Sequence, residues 1–190
     1  MRIVVGISGA SGAIYGVRLL HYLKNTTTEV HLVISNAARL TIKHECSHLI
    51  TAEQLEKEFC SHYHDSSDIA ASIASGSFVT EGMIVAPCSV HTMSEIAAGI
   101  ASNLLTRAAD VTLKERRKLV LMVRETPLHL GHLRNMVVLT EMGAIVAPPV
   151  PSFYHNPQST MDIVDHSVLR VLNIFGIHDK NREWRGIDKS

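Results

Sequence analysis

Short runs of aliphatic and β-branched residues alternate along the chain with longer stretches in which apolar positions recur at helical spacing. The short runs predict strands over 2–7, 29–34, 82–86, 119–123 and 144–147. The longer stretches predict helices over 12–24, 37–45, 89–99, 129–142 and 161–175, and a further helix carries Arg107, Asp110, Lys114 and Glu115. Strand and helix in alternation are the mark of βαβ units, so the expected fold is α/β with a mostly parallel sheet and right-handed crossovers. Open sheets of this kind bind ligands outside the carboxyl ends of their strands, which directs attention to the residues just after each strand. One such segment, Pro148-Pro149-Val150-Pro151, is stiff because proline fixes φ, and it leads into Ser152-Phe153-Tyr154-His155.

Length and composition narrow the choice. The 190 residues suit one domain, 1–190, with 46% apolar and 19% charged residues. Eighteen basic and eighteen acidic side chains cancel, so no overall field draws nucleic acid or an anionic membrane. An anionic ligand must instead be caught by helix N-termini and single arginines. Cys46, Cys60 and Cys88 are too irregularly spaced for a disulfide framework and fit a reducing, cytoplasmic setting. Met1 leads almost directly into an apolar strand without the features of a signal peptide, and no apolar run is long enough to span a bilayer.

The first predicted strand ends in Gly6-Ile7-Ser8-Gly9-Ala10-Ser11-Gly12, a small-residue loop that lets phosphate approach backbone amides at a helix start. Its glycine spacing is not the dinucleotide fingerprint, and the second strand ends in Ser35 where a dinucleotide site would carry Asp or Glu. Ser35 suits a mononucleotide such as FMN, or it caps the following helix. Ser89 and Thr92 open a helix after Pro87-Cys88 and read as a second anion or ring-edge site, with capping as the alternative. Cys88 reads as a small buried residue rather than a nucleophile. A buried strand delivers Arg124 and Glu125 to its end, where arginine grips phosphate and Glu125 moves a proton, unless the two form a structural ion pair.

Arg107, Asp110, Lys114 and Glu115 stand at spacings that permit mutual salt bridges on a solvated helix face. His44-Glu45-Cys46-Ser47-His48 matches a two-histidine zinc pattern in spacing but ends a short segment instead of lying within a long helix, so no metal is expected there. His62, His64, His129 and His132 read as surface or core-edge residues.

Gly-Ala-Ser at 9–11, Ser35, Cys-Ser-x-x-Thr at 88–92, Leu-Thr-Arg-Ala-Ala-Asp at 105–110, Leu-Lys-Glu-Arg-Arg at 113–117, Arg-Glu-Thr-Pro-Leu at 124–128 and Phe-Tyr-His-x-Pro at 153–157 together resemble the UbiX-type flavin prenyltransferases. Glu183-Trp184-Arg185-Gly186 resembles the branch tied to phenolic and hydroxyarylic acid decarboxylation. The resemblance implies a three-layer, flavodoxin-like (Rossmann-like) domain. It implies an enzyme that joins a dimethylallyl group from dimethylallyl phosphate to N5 and C6 of reduced FMN, supplying a separate UbiD-type decarboxylase. FMN would be held by Gly9, Ala10, Ser11, Ser35, Ser89, Val90, His91, Thr92 and Arg124. The prenyl phosphate would meet Arg107, Lys114, Tyr154, Arg170 and Trp184, and Glu45, Glu125, Ser11 and Lys114 are the catalytic candidates. The same resemblance implies a homododecamer in which the tail at 176–190 packs on a neighbouring subunit, and it requires no metal. Direct decarboxylation of an aromatic acid and a non-catalytic FMN carrier stay open as alternatives.

Overall fold

The computed structural model describes residues 1–178. Among these, six strands form one parallel sheet: β1 (Arg2–Ile7), β2 (Glu29–Ile34), β3 (His62–His64), β4 (Gly82–Cys88), β5 (Lys118–Val123) and β6 (Ile145–Val146). Their order across the sheet is β3-β2-β1-β4-β5-β6. Ile3 of β1 is therefore flanked by Val30 on one side and Gly82 on the other. The order reverses between β1 and β4, which opens a crevice at the carboxyl ends of those two strands. Ser8 fastens that point: its hydroxyl donates to the Pro87 carbonyl at 3.0 Å and accepts from the Ser89 amide at 2.8 Å.

Side chains alternate across the sheet, so each strand feeds two cores. Ile3, Val5, Ile7, Leu32, Ile34 and Ile84 face α1 (Ala13–Lys24), α2 (Asn36–Glu45), α3 (Ala52–Glu58) and α7 (Thr160–Ile174). Val4, Val33, Met83, Val85 and Leu121 face α4 (Val90–Ala97), α5 (Leu104–Lys114) and α6 (Leu130–Glu141). Burial on both faces explains why the strands read as nearly unbroken apolar runs. The α/β parallel sheet is the one the alternation predicts, and the three layers are those the resemblance implies. A bidentate pair, Arg18 to Asp165 at 2.7 and 2.9 Å, pins α7 to α1, with the Asp165 side chain 7% exposed. No helix among the described residues is long and apolar enough to cross a membrane.

The structure adds a strand and an α-helix, besides a single 3-10 turn at Ser72–Ala74. The strand β3 is three residues of His-Tyr-His, too short and too polar to show as an apolar run. The helix α3 buries only Ala52 and Leu55, so its period is faint, although Thr51 and Gln54 close a capping box around its start. The strand β4 also runs two residues further than expected, through Pro87 to Cys88, which pairs with Val123 after a break in register.

Candidate functional site

The carboxyl ends of β1, β2, β4 and β5 open onto a cavity of about 570 Å³. The loop after β1 supplies Gly9, Ala10 and Ser11. It enters α1 through Gly12 at φ 93°, a left-handed conformation that costs glycine nothing. Three more helix starts meet the same space. Ser35 accepts from the Ala38 amide at 3.1 Å and Ser89 from the Thr92 amide at 3.2 Å, while the Asn103 side chain accepts from the Thr106 amide. All three caps line the cavity, together with Asn36, Val90, His91 and Thr92. Ser35 and Ser89 thus cap their helices, one of the readings the sequence left open, and also line the cavity. The positive ends of α2, α4 and α5 converge on one volume, a standing preference for an anion.

The first turn of α1 is engaged differently. Glu45, at the end of α2, accepts from the Gly12 and Ala13 amides at 2.8 and 2.9 Å, so these two donors are taken by a carboxylate instead of facing a ligand. Burial pushes the Glu45 carboxyl up, but hydrogen bonds from Ser11, Ala13 and Gly12 and the charge of Arg124 outweigh it and hold it below its ordinary value. Glu45 does not line the cavity. Ser11 does, and its hydroxyl stands between the carboxylate and that space. Arg124 and Glu125 line the opposite wall at the end of β5, where the Arg124 amide donates to the Cys88 carbonyl at 3.0 Å. No ion pair joins them among the described residues; Glu125 accepts from the Thr126 amide at 2.9 Å. Burial raises the Tyr15 phenol and the Arg124 charge opposes it. Cys88 is fully buried and its thiol is pushed up to about 12, as suits a packing residue.

A second cavity of about 270 Å³ is lined by Tyr154 and Arg170 with Met122, Pro148, Ser152 and His166. The proline run does carry Tyr154 to a defined place, with the phenol oxygen 2.7 Å from His166 Nε2. The two cavities share the end of β5: Met122 lines one, and Arg124, two residues further, lines the other. That separation is about 7 Å along an extended chain.

The Flavoprotein family model matches residues 1–172. A protein of Escherichia coli (strain K12) described as flavin prenyltransferase UbiX is 54% identical over 189 residues, which span 97% of this chain and 98% of that one. The chain belongs to the UbiX-type flavin prenyltransferase family. Two solved structures of UbiX-type proteins superpose closely. A dodecameric FMN-dependent UbiX-like decarboxylase from Escherichia coli O157:H7 gives a TM-score of 0.94 at 47% identity, covering 98% of this chain and 100% of that one. AnUbiX (PadA1), in complex with FMN and dimethylallyl pyrophosphate, gives 0.95 at 43% identity, covering 98% of both.

For a UbiX-type chain the larger cavity has a fitting donor set: hydroxyls of Ser11, Ser35, Ser89 and Thr92, helix-start amides and one guanidinium. Hydroxyls and amides suit a ribityl chain and a polar ring edge, and the guanidinium suits a phosphate. Not every candidate joins it. Arg107 pairs with Asp110 at 2.7 Å and donates to the Ala74 carbonyl, and Lys114 pairs with Glu115. Both lie on α5 and line neither cavity, so within one chain they form the solvated charged face that their spacing also permitted. Trp184 and most of the expected tail lie outside the described residues. Four lining residues, Asn36, Ala37, Ser66 and Asn103, were not expected; the first two simply follow Ser35 into α2. Asn103 had a signal, since Asn-x-x-Thr is a capping box at the start of α5. Ser66 had none; it reaches the site because its carbonyl accepts from the Leu104 amide at 2.8 Å.

Proposed function

We propose that this chain transfers a dimethylallyl group from dimethylallyl phosphate to reduced FMN, making prenylated FMN for a UbiD-type decarboxylase in the cytoplasm. The observation that carries the reading is the placing of two cavities within two residues of each other at the end of β5, one rich in hydroxyls and amides, the other lined by Tyr154 and Arg170. Gly9, Ala10, Ser11, Ser35, Ser89, Val90, His91, Thr92 and Arg124 hold FMN, which when reduced supplies the N5 and C6 positions that accept the prenyl carbons. Arg170 and Tyr154 hold the prenyl phosphate. The allylic C–O bond breaks with both electrons going to phosphate, and the guanidinium of Arg170 stabilises that charge as it develops. Arginine meets the phosphate charge, so prenyl transfer needs no metal.

The two glutamates divide the proton work. Glu125 is exposed at the cavity wall and delivers a proton to the departing phosphate. Glu45 is held as a carboxylate and accepts, through the Ser11 hydroxyl, the proton C6 loses at ring closure. In that step the prenyl C=C opens to bond C6, and its other carbon takes a proton from the released phosphate. The tail at 183–186 supports the phenolic and hydroxyarylic acid branch, and a dodecamer like the Escherichia coli O157:H7 relative is the expected assembly. The test is incubation with reduced FMN and dimethylallyl phosphate, followed by the mass of the extracted flavin. A gain of one prenyl unit supports transfer. An unaltered flavin, with an aromatic acid consumed by the chain alone, would make it a decarboxylase instead.

A further inference from the structure

We propose that Glu29, His31 and His62 form a zinc-type divalent-cation site at the amino end of the sheet, separate from the flavin cavity. The placement follows from strand geometry. Residues two apart on a strand share a face, which puts Glu29 beside His31. The parallel register sets His31 against His62 and Val33 against His64. Glu29 and His31 on β2 and His62 on β3 thus offer one ligand atom each, all three within 4.8 Å of one another.

The two separations from the carboxylate suit zinc. Glu29 Oε1 lies 3.0 Å from His31 Nε2 and 3.5 Å from His62 Nε2. A zinc tetrahedron with arms of about 2.0–2.1 Å has edges of about 3.3 Å, between those two values. Two imidazoles and one carboxylate make a donor set that zinc accepts with a fourth position left open. The surroundings hold the ligands in place, as outer partners do at metal sites. His31 Nδ1 is 2.9 Å from His64 Nε2, and Phe78 packs edge-on against the His31 ring at 5.0 Å. The second Glu29 oxygen is 3.0 Å from Arg2, so the metal takes Oε1 alone and works against one nearby positive charge. The His31 side chain is 4% exposed, whereas His62 and Glu29 are 55% and 37% exposed. One arm is fixed and two are open to an entering ion. Zinc takes the Nε2 lone pair of the neutral His31 tautomer that carries its single proton on Nδ1, and that Nδ1–H donates to His64. Ser35, at the flavin cavity, is four residues beyond His31, about 13 Å along the strand, so zinc here takes no part in prenyl transfer.

The experiment is a zinc titration of the assembled, chelator-stripped protein by calorimetry, with bound metal counted by mass spectrometry. His62→Ala tests the site at an exposed position that folding does not need, and His132→Ala controls for the stacked His129–His132 pair elsewhere. One zinc per chain is expected with a dissociation constant below about 10 µM. His62→Ala weakens it at least about tenfold and leaves FMN affinity unchanged, while His132→Ala binds as the unaltered chain does. Uptake below one zinc per chain, or equal zinc affinity in His62→Ala and the unaltered chain, overturns the proposal.

Discussion

A methyl group on Gly9 would lie 2.4 Å from Cβ of Ala37, so the loop after β1 and the first turn of α2 touch with no space between them. Gly9→Ala must therefore push apart two walls of the larger cavity. Its FMN dissociation constant, read by fluorescence quenching, is expected to rise about tenfold or more, a loss of about 1.4 kcal/mol. Glu45 makes a second prediction through pH. Its carboxyl is held below the ordinary 4.5 in the fold by the Ser11, Ala13 and Gly12 hydrogen bonds and the Arg124 charge, against burial. A carboxyl depressed by folding contributes stability that is complete above the unfolded value and is lost as pH falls through the folded one. The melting-temperature gap between the unaltered chain and Glu45→Gln should therefore be constant above about pH 5.5 and shrink as the solution becomes more acidic. A gap that widens in acid would contradict the carboxylate assignment.

Between elements, the Arg18–Asp165 pair is the polar contact that ties α7 to α1. Asp165→Ala leaves the Arg18 guanidinium partly buried without its carboxylate, so urea unfolding should report a loss of about 3 kcal/mol. The elements themselves were legible where the signal is local. An apolar run gives a strand, a small-residue loop gives Gly9 to Ser11, and a hydroxyl before a helix gives Ser35 and Ser89. What could not be read is what distant segments do to one another. Ser66 enters the cavity because its segment is bonded to the start of α5, and His31 meets His62 because β3 pairs with β2. Neither contact leaves a trace in a window of neighbouring residues. Arg170 entered by resemblance alone and Tyr154 by resemblance and the proline run before it, and β5 explains why they matter, since its end touches both cavities.

Across the whole molecule, α6 is the element that one chain does not satisfy. It buries only Leu139, and Leu130, Leu133, Val137 and Val138 stay 38–59% exposed. Contiguous apolar surface of this kind marks a contact with another chain, consistent with the dodecameric relative. Val137→Asp should lower the assembly mass measured by light scattering relative to the unaltered chain, toward the 20.9 kDa of one protomer. The flavin is proposed to occupy one cavity and the prenyl phosphate the other, and Arg170→Ala separates the two roles. With saturating reduced FMN and dimethylallyl phosphate in a single turnover, Arg170→Ala should bind FMN as tightly as the unaltered chain and lose at least about a hundredfold in the rate of prenylated flavin formed. Prenylated flavin at the unaltered rate, or FMN binding lost along with it, would contradict the account.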